Sequence, residues 1–190
     1  MTKRLHCSYC KYPLKTCVCE YIKEVDCDLH ISIMQDPSEV KHAKNTARLI
    51  PLLLPKTEIF IGQHTSDFLA LRRKIQQHPD TLLVYPCKNA INIASKNKKL
   101  KVKTSHIILI DGSWRKAKKI YLGNPWLQHL NAATFDVSEP SRYHIRKQSF
   151  DNGYSTIEAL AYTLHALQHT PIDAFIRLQD GLQQYWQGPR

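Results

Sequence analysis

One stretch of the chain, residues 106–114, constrains the fold more than any other. It reads His-Ile-Ile-Leu-Ile-Asp-Gly-Ser-Trp. Its run of four apolar residues, three of them β-branched, is typical of a parallel strand buried on both faces. The strand would end at Asp111, and a helix would begin at Trp114. Because ligands bind at the carboxyl ends of strands in open α/β sheets, this pattern predicts a site there. The alternative is that Asp111 only caps the helix and Trp114 packs in the core.

The rest of the chain alternates between strand and helix patterns. Further strands are predicted at residues 28–35, 58–62, 81–85 and 132–137, and helices at residues 39–54 and 66–77, from Trp114, over 155–169, and from Pro171. Ser155 and Glu158 have the spacing of a capping box at the start of a helix. This alternation predicts an α/β fold in which helices cover both faces of a mostly parallel sheet.

The charge balance is strongly basic. There are 27 Lys and Arg residues against 16 Asp and Glu residues, which gives a net charge of +11. Such a balance favours a polyanionic partner, most often nucleic acid, over a membrane surface. No apolar run approaches the roughly 20 residues of a membrane span, and the first residues lack the apolar stretch of a signal peptide. These features predict a cytoplasmic protein that does not bind membranes and whose six cysteines are not disulfide-bonded.

Four of the six cysteines are clustered near the start of the chain. They follow a C-x2-C and C-x-C pattern and are Cys7, Cys10, Cys17 and Cys19. Four thiolates satisfy tetrahedral zinc and leave no open position, so the pattern predicts a structural zinc site. The alternative is four unrelated reduced thiols. We therefore divide the chain into a zinc knuckle at residues 1–27 and an α/β domain at residues 28–190.

Several segments, in order, resemble the DTW-domain family, the tRNA-uridine aminocarboxypropyltransferases. The family signature is Asp-x-Thr-Trp, and the cysteine pattern also resembles that of the family. The matching segments are Asp111-Gly112-Ser113-Trp114, Asn45-Thr46-x-Arg48, Tyr143-His-Ile-Arg-Lys147 and Ser155-Thr-Ile-Glu-Ala159. Together with the cysteines they span nearly the whole chain, which makes the ordered set specific although each piece is weak.

The chain departs from the family pattern at three places. Ser113 replaces the threonine of the signature but keeps a hydroxyl, and Ala47 replaces a glycine. Residues 36–39 read Asp-Pro-Ser-Glu where the family is expected to have His-Pro-x-Glu. An imidazole is lost there and a negative charge is gained.

The resemblance implies a SPOUT-like fold with a trefoil knot near the cofactor site. It also implies that the 3-amino-3-carboxypropyl group of S-adenosylmethionine is transferred to N3 of a tRNA uridine, with release of methylthioadenosine. We expect the loop after the third strand, the signature turn and the start of the capped helix to bind the cofactor. The corresponding residues are Tyr85, Pro86, Asp111, Gly112, Ser113, Trp114, Ser155, Thr156 and Glu158.

Two residues are predicted to act in catalysis. Uridine N3 must lose its proton before it becomes a nucleophile, and Asp111 is the best-placed base. Asp111 has a second possible role, which is to hold the ammonium of the cofactor or the uracil. Trp114 would stack on adenine or uracil, or simply wall the pocket.

Basic and polar segments are predicted to bind the tRNA. They are represented by Asn45, Thr46, Arg48, Lys98, Lys99, Lys101, Arg115, Lys116, Arg142, Tyr143, Arg146 and Lys147. The alternative for the lysine run near residue 98 is a solvated connector.

Two other functions fit the same sequence. An RNA methyltransferase would use the same cofactor and differ only in which carbon faces the base. A non-catalytic zinc-containing RNA-binding protein would explain the cysteines and the charge, but not the Asp-Gly-Ser-Trp turn at a strand end. The sequence does not specify the target uridine. It is compatible with a monomer and does not specify the oligomeric state.

Overall fold

The computed structural model describes residues 5–93, 103–135, 140–145, 153–168 and 170–186. In these residues a six-stranded sheet is combined with five α-helices. In chain order the elements are β1 (His30–Gln35), α1 (Ile50–Leu53), β2 (Thr57–Ile61), α2 (Leu69–Gln77), β3 (Thr81–Val84), β4 (Ile91–Asn92), β5 (His106–Asp111), α3 (Trp114–Gly123), β6 (Asn131–Thr134), α4 (Thr156–Gln168) and α5 (Asp173–Gln183). Short 3-10 helices connect several of them.

The sheet has the strand order β2-β1-β5-β3-β6-β4, and every neighbouring pair is parallel. The apolar strand β5 lies in the interior of the sheet between β1 and β3, as its continuous hydrophobic run predicts. The register pairs Gln35 with Asp111, so β1 and β5 end at the same level. The prediction of a parallel α/β sheet is confirmed.

Helices pack on both faces of the sheet, also as predicted. On one face, Ile107 and Leu109 belong to a core that includes buried residues of α1, α4 and α5. On the other face, Ile108 packs in a second core with residues of α2 and α3. In the described part of the chain, no helix is long and apolar enough to cross a membrane. The SPOUT-like classification and the knot stay predictions.

The predicted helix at residues 39–54 is wrong. The structure has 3-10 helices at Pro37–Glu39 and Ala47–Leu49, and only the single turn of α1 is α-helical. The Asn45 side chain accepts a hydrogen bond from the backbone N–H of Arg48, which competes with helical hydrogen bonding. Pro51 in α1 removes a further backbone donor. Of the residues at the predicted apolar spacing, Ala47, Ile50 and Leu54 are buried, whereas Val40 and Ala43 are exposed.

The N-terminal segment contributes to the larger of the two cores. Cys10, Tyr12 and Val18 are buried in the same cluster as residues of α4 and α5. Lys11 adopts a positive φ of 61°, and its N–H donates to the carbonyl of Cys7, which closes the turn between the first two cysteines. The predicted domain boundary at residue 27 stays a prediction. Residues on both sides of it pack in the same hydrophobic core.

A buried histidine lies at the amino end of β5. His106 is fully buried between Ser32 and Thr81. The Thr81 hydroxyl donates to the backbone carbonyl of His78, so it accepts from Nδ1–H of His106. Nε2 of His106 then accepts from the Ser32 hydroxyl. This network holds the neutral imidazole. Burial, and next the charge of His78, lower the pKa of His106 to about 4.

The buried imidazole predicts a loss of stability in mild acid. The folded pKa of about 4 lies below the unfolded value of about 6.5, so the unfolded chain binds this proton more tightly than the folded protein does. Lowering the pH therefore favours the unfolded state. We expect His106 to account for a loss of about 2 kcal/mol between pH 7 and pH 5. Urea unfolding of His106→Gln should show a flatter pH dependence at lower overall stability. The exposed His129 is the control. A slope unchanged in His106→Gln would contradict the assignment.

Candidate active site

A cavity of about 280 Å³ opens at the carboxyl ends of three adjacent strands, β5, β3 and β6. Its walls also include the first turns of α3 and α4. The lining residues are Val84, Tyr85, Pro86, Leu109, Ile110, Gly112, Trp114, Ala117, Ala133, Thr134, Phe135, Tyr154, Thr156 and Ala159. Strand-end clefts of this kind are where α/β proteins bind their ligands.

Aromatic side chains form much of the cavity wall. Phe135 and Tyr154 lie 5.4 Å apart by ring centroids, and on the other side Tyr85 stacks on Tyr121 at 4.5 Å. Trp114 is 40% exposed, which contradicts the alternative that it packs in the core. A wall of this composition suits a flat heteroaromatic ring, because stacking and burial of apolar surface act together.

Asp111 lies beside the cavity and is held by three side-chain donors. Its Oδ2 atom accepts from Nε2 of Gln35 at 2.9 Å and from Nδ2 of Asn45 at 2.7 Å. Its Oδ1 atom accepts from the hydroxyl of Thr156 at 2.6 Å. The residue before α3 is Ser113, and both oxygens of Asp111 have these other partners. The helix-cap alternative is therefore contradicted.

The environment of Asp111 has two opposing effects on the pKa of its carboxyl group. Asp111 is 3% exposed, and burial raises the pKa of its carboxyl group above the usual aspartate range. The hydrogen bonds from Thr156, Gln35 and Asn45 favour the ionised form and oppose this effect, but burial prevails. Of the three donors, only Thr156 also lines the cavity. A proton from a ligand in the cavity can therefore reach Asp111 by way of the Thr156 hydroxyl.

Asp36 occupies the position where the family resemblance led us to expect a histidine. Its side chain accepts from the backbone N–H of Ser38 at 3.0 Å and from Nε2 of Gln63 at 2.6 Å. Burial alone would raise the pKa of Asp36, but a hydrogen bond from the Ser38 hydroxyl, together with those from Gln63 and the Ser38 N–H, outweighs it and lowers the pKa. Asp36 thus caps the short helix that carries Glu39. That glutamate is buried and pairs with Lys116 at 2.9 Å.

At Gly112 there is little room for a side chain between Asp36 and Lys116. A Cβ atom at Gly112 would lie 3.1 Å from Cβ of Lys116 and 3.5 Å from Cβ of Asp36. The backbone N–H of Asp36 donates to the carbonyl of Asp111 at 3.0 Å, which fixes the two loops together. The close approach explains why the turn that lines the cavity has no side chain at this position.

The capping box at the start of α4 forms as predicted. Glu158 accepts from the backbone N–H of Ser155 at 2.8 Å, and Ser155 accepts from the N–H of Glu158. Glu158 also accepts from the Ser141 hydroxyl and the Arg142 N–H, both at 2.7 Å. Neither Ser155, Glu158 nor Ser113 lines the cavity. Ser155 and Glu158 instead fix the position of Thr156.

The structure brings the four N-terminal cysteines together. Cys7 and Cys19 have their sulfurs 3.5 Å apart, Cys10 and Cys17 have theirs 3.7 Å apart, and all four lie within 4.8 Å of one another. Tetrahedral zinc with bonds of about 2.3 Å requires sulfurs separated by about 3.8 Å. The donor set and its spacing therefore fit one zinc ion.

Comparison with known families identifies the chain. The family model described as "DTW domain" matches residues 4–187. The chain belongs to the DTW domain family. The resemblance inferred from the Asp-Gly-Ser-Trp turn and the cysteines is confirmed.

Curated relatives of this DTW domain carry an enzyme name. A protein named tRNA-uridine aminocarboxypropyltransferase 2 from Macaca fascicularis is 30% identical over 171 residues, and one of the same name from Mus musculus is equally similar. In both cases the match covers 87% of this chain but only 57% of the relative. A Drosophila melanogaster protein of that name is 30% identical, with 89% and 69% covered. No solved structure matches the chain significantly.

Three residues of the DTW domain predicted to contact RNA lie in the protein interior. Asn45 and Thr46 are buried, and Asn45 is bound to Asp111. Tyr143 is buried as well, and its hydroxyl donates to the backbone carbonyl of Lys44. These residues stabilise the loops around the cavity rather than present their side chains to solvent.

The basic residues predicted to contact RNA differ in their surroundings. Arg115 is exposed and lines a shallow basic depression together with Lys118 and Lys119. Arg142 pairs with Asp180 at 2.9 Å, and Arg48 lies over the ring of Tyr12. The remaining residues fall outside the described part of the chain, namely Lys98, Lys99, Lys101, Arg146 and Lys147.

Proposed function

We propose that this protein transfers the 3-amino-3-carboxypropyl group of S-adenosylmethionine to N3 of a uridine in tRNA. Family membership and the names of the 30% identical relatives support the reaction class. The observation that carries the proposal is the strand-end cavity with an aromatic wall and a buried carboxylate reached through Thr156. The chain spans 57% of the length of two of these relatives. Because their names describe longer proteins, we base the proposed activity on the strand-end cavity of this chain.

The cavity suits one part of S-adenosylmethionine at a time. At about 280 Å³ it is near the lower end of the range for small-molecule pockets, so it would enclose one aromatic moiety and leave the rest in its mouth. Tyr85, Phe135 and Tyr154 would stack on or flank that moiety. The positive end of the α4 dipole favours the carboxylate of the amino-acid part. The bound sulfonium supplies an electrophilic carbon, and the protein's task is to orient it toward the base.

Proton removal from N3 is assigned to Thr156 and Asp111 together. The N3 proton passes to Oγ1 of Thr156 while the hydroxyl proton of Thr156 passes to Oδ1 of Asp111. The N3 lone pair then forms the new C–N bond, and the C–S bond breaks with its electron pair leaving on the sulfur of methylthioadenosine. Because Gln35 and Asn45 bind the other carboxylate oxygen, Asp111 keeps its orientation in both protonation states.

Two substitutions at position 156 test this relay. Thr156→Ser keeps the hydroxyl and should retain most of the turnover. Thr156→Val keeps the shape but removes the proton path, and turnover should fall about a hundred-fold or more. It also leaves a buried carboxylate one donor short, at a cost of about 1–3 kcal/mol. Unfolding measurements therefore accompany the kinetics. Equal turnover in both variants would contradict the relay.

Zinc is proposed for the four-cysteine cluster, on the basis of the sulfur spacing. A site with four thiolates has no open position, so its role would be structural. The sulfurs lie in a segment that packs on α5 rather than at the strand-end cavity, which agrees with that role.

The product decides between the proposed reaction and its alternatives. Purified protein is incubated with S-adenosylmethionine and unmodified tRNA, and the digested nucleosides are analysed by mass spectrometry. The expected result is a uridine heavier by one aminocarboxypropyl group, with methylthioadenosine released in equal amount. A uridine heavier by one methyl group would identify a methyltransferase. Binding of tRNA without any product would identify a non-catalytic RNA-binding protein.

A further inference from the structure

We propose that a second cavity, far larger than the first, holds a single-stranded segment of the tRNA apart from the target nucleotide. This inference rests on the proposed function. The cavity, here called the knuckle groove, has a volume of about 840 Å³. It lies between the cysteine segment, the loop before α1 and the end of the described chain. Its walls include Lys11, Lys15, Lys41, Arg48, Tyr12 and Trp186.

The charge of the knuckle groove fits a polyanion. Lys11, Lys15, Lys41 and Arg48 line it, and the described lining contains no Asp or Glu. The three lysines are exposed. Cations with no lining acid to neutralise them attract phosphate and release its counterions on binding.

The aromatic lining of the groove favours nucleic acid over a simple polyanion. Trp186 is 37% exposed at the groove, and Nζ of Lys44 lies 4.7 Å from its ring centroid. The guanidinium of Arg48 lies 4.1 Å from the ring centroid of Tyr12. Grooves that bind single strands combine basic residues for the backbone with aromatic rings on which bases stack. The pairing of both features selects RNA as the occupant.

One loop connects the knuckle groove to the site of reaction. Lys41, Ala43 and Arg48 line the groove, whereas Asn45 from the same loop binds Asp111 at 2.7 Å. A strand bound in the groove would therefore hold the loop that orients the carboxylate. The groove would place the tRNA and support the site in one step.

The test compares tRNA affinity in variants of equal net charge. Lys15→Ala/Lys41→Ala removes two groove cations, and Lys23→Ala/Lys56→Ala removes two lysines that do not line the groove. The groove variant should lose about two units of salt slope and bind more weakly, and the control should retain wild-type binding. Trp186→Ala should weaken binding about five- to hundred-fold, and Trp186→Phe should restore much of it.

The outcomes separate this inference from the proposed reaction. Groove variants that bind and modify tRNA like the wild type overturn the groove and leave the reaction intact. A wild-type protein that binds tRNA through the groove without modifying it overturns the reaction and leaves the groove intact. Equal weakening in the groove and control variants would indicate nonspecific charge attraction and also overturn the groove. Binding that follows the lysines but ignores Trp186 would overturn the stacking of a base.

Discussion

Asp111→Asn should lower the rate of uridine modification by about two to four orders of magnitude. The amide cannot accept the proton that reaches the carboxylate through Thr156, and general base catalysis contributes about that much. The amide nevertheless fits the site. Its oxygen can accept from Gln35 and Asn45, and its NH2 can donate to Thr156, which then accepts instead of donating. The variant should therefore fold, and affinity for S-adenosylmethionine should change little.

The control for this substitution is Asp67→Asn. Asp67 also accepts hydrogen bonds, from the backbone N–H groups of Gln63 and His64 at 2.9 Å each, but it does not line the cavity. Its loss should leave turnover near wild type. If Asp111 instead holds the cofactor's ammonium, affinity would fall in step with turnover. Near wild-type turnover of Asp111→Asn would remove Asp111 from the mechanism.

The pH dependence of turnover gives a second measure of the same group. A base acts in its ionised form, so turnover falls when the pH drops through its pKa. Burial raises the pKa of Asp111, so this acidic limb should lie above the usual aspartate range. The residual activity of Asp111→Asn should lack that limb. Measurements must stay in the range where the protein is folded, because protonation of His106 destabilises it at low pH.

The strand-end site could be predicted from sequence because its signals are local. The apolar run before Asp111 predicts β5, and parallel strands place their carboxyl ends on one edge. The residues assigned to the cofactor rested on these signals and on the family resemblance. Tyr85, Pro86, Gly112, Trp114 and Thr156 line the cavity, whereas Asp111, Ser113, Ser155 and Glu158 do not. The capping box was also visible in sequence, because its two bonds join residues three positions apart.

The partners of Asp111 could not be predicted, because they depend on contacts between distant parts of the chain. Gln35 ends a neighbouring strand, and Asn45 lies in a loop whose fold was predicted as a helix. Phe135 and Tyr154 were missed for a similar reason. Phe135 follows β6 directly, but the strand was predicted to run to residue 137, which placed Phe135 inside it rather than at its end. The wrong helix at residues 39–54 arose because apolar spacing does not by itself report backbone hydrogen bonding.

Loss of the proposed zinc ion should destabilise the whole domain rather than only the N-terminal segment. Cys10, Tyr12 and Val18 are buried in the core that contains α5. The ring of Tyr21 packs against Gly181 so closely that a Cβ atom there would lie 2.2 Å from it. Structural zinc sites bind with about 10–16 kcal/mol. Because the segment shares the core, a large part of that free energy should appear as stability of the fold.

Cys10→Ser should therefore abolish zinc binding and lower the free energy of unfolding by on the order of 5 kcal/mol. For a domain of this size that is a fall in Tm of about 10–20 °C. Cys27→Ser is the matched control, because Cys27 is a free cysteine outside the four-sulfur cluster. It should keep about one zinc per chain and a nearly unchanged Tm. Metal analysis measures the zinc content of both variants, and thermal unfolding measures their Tm. Neither measurement depends on turnover. Wild-type protein that contains no zinc, or a Cys10→Ser variant with unchanged Tm, would rule out a structural zinc site.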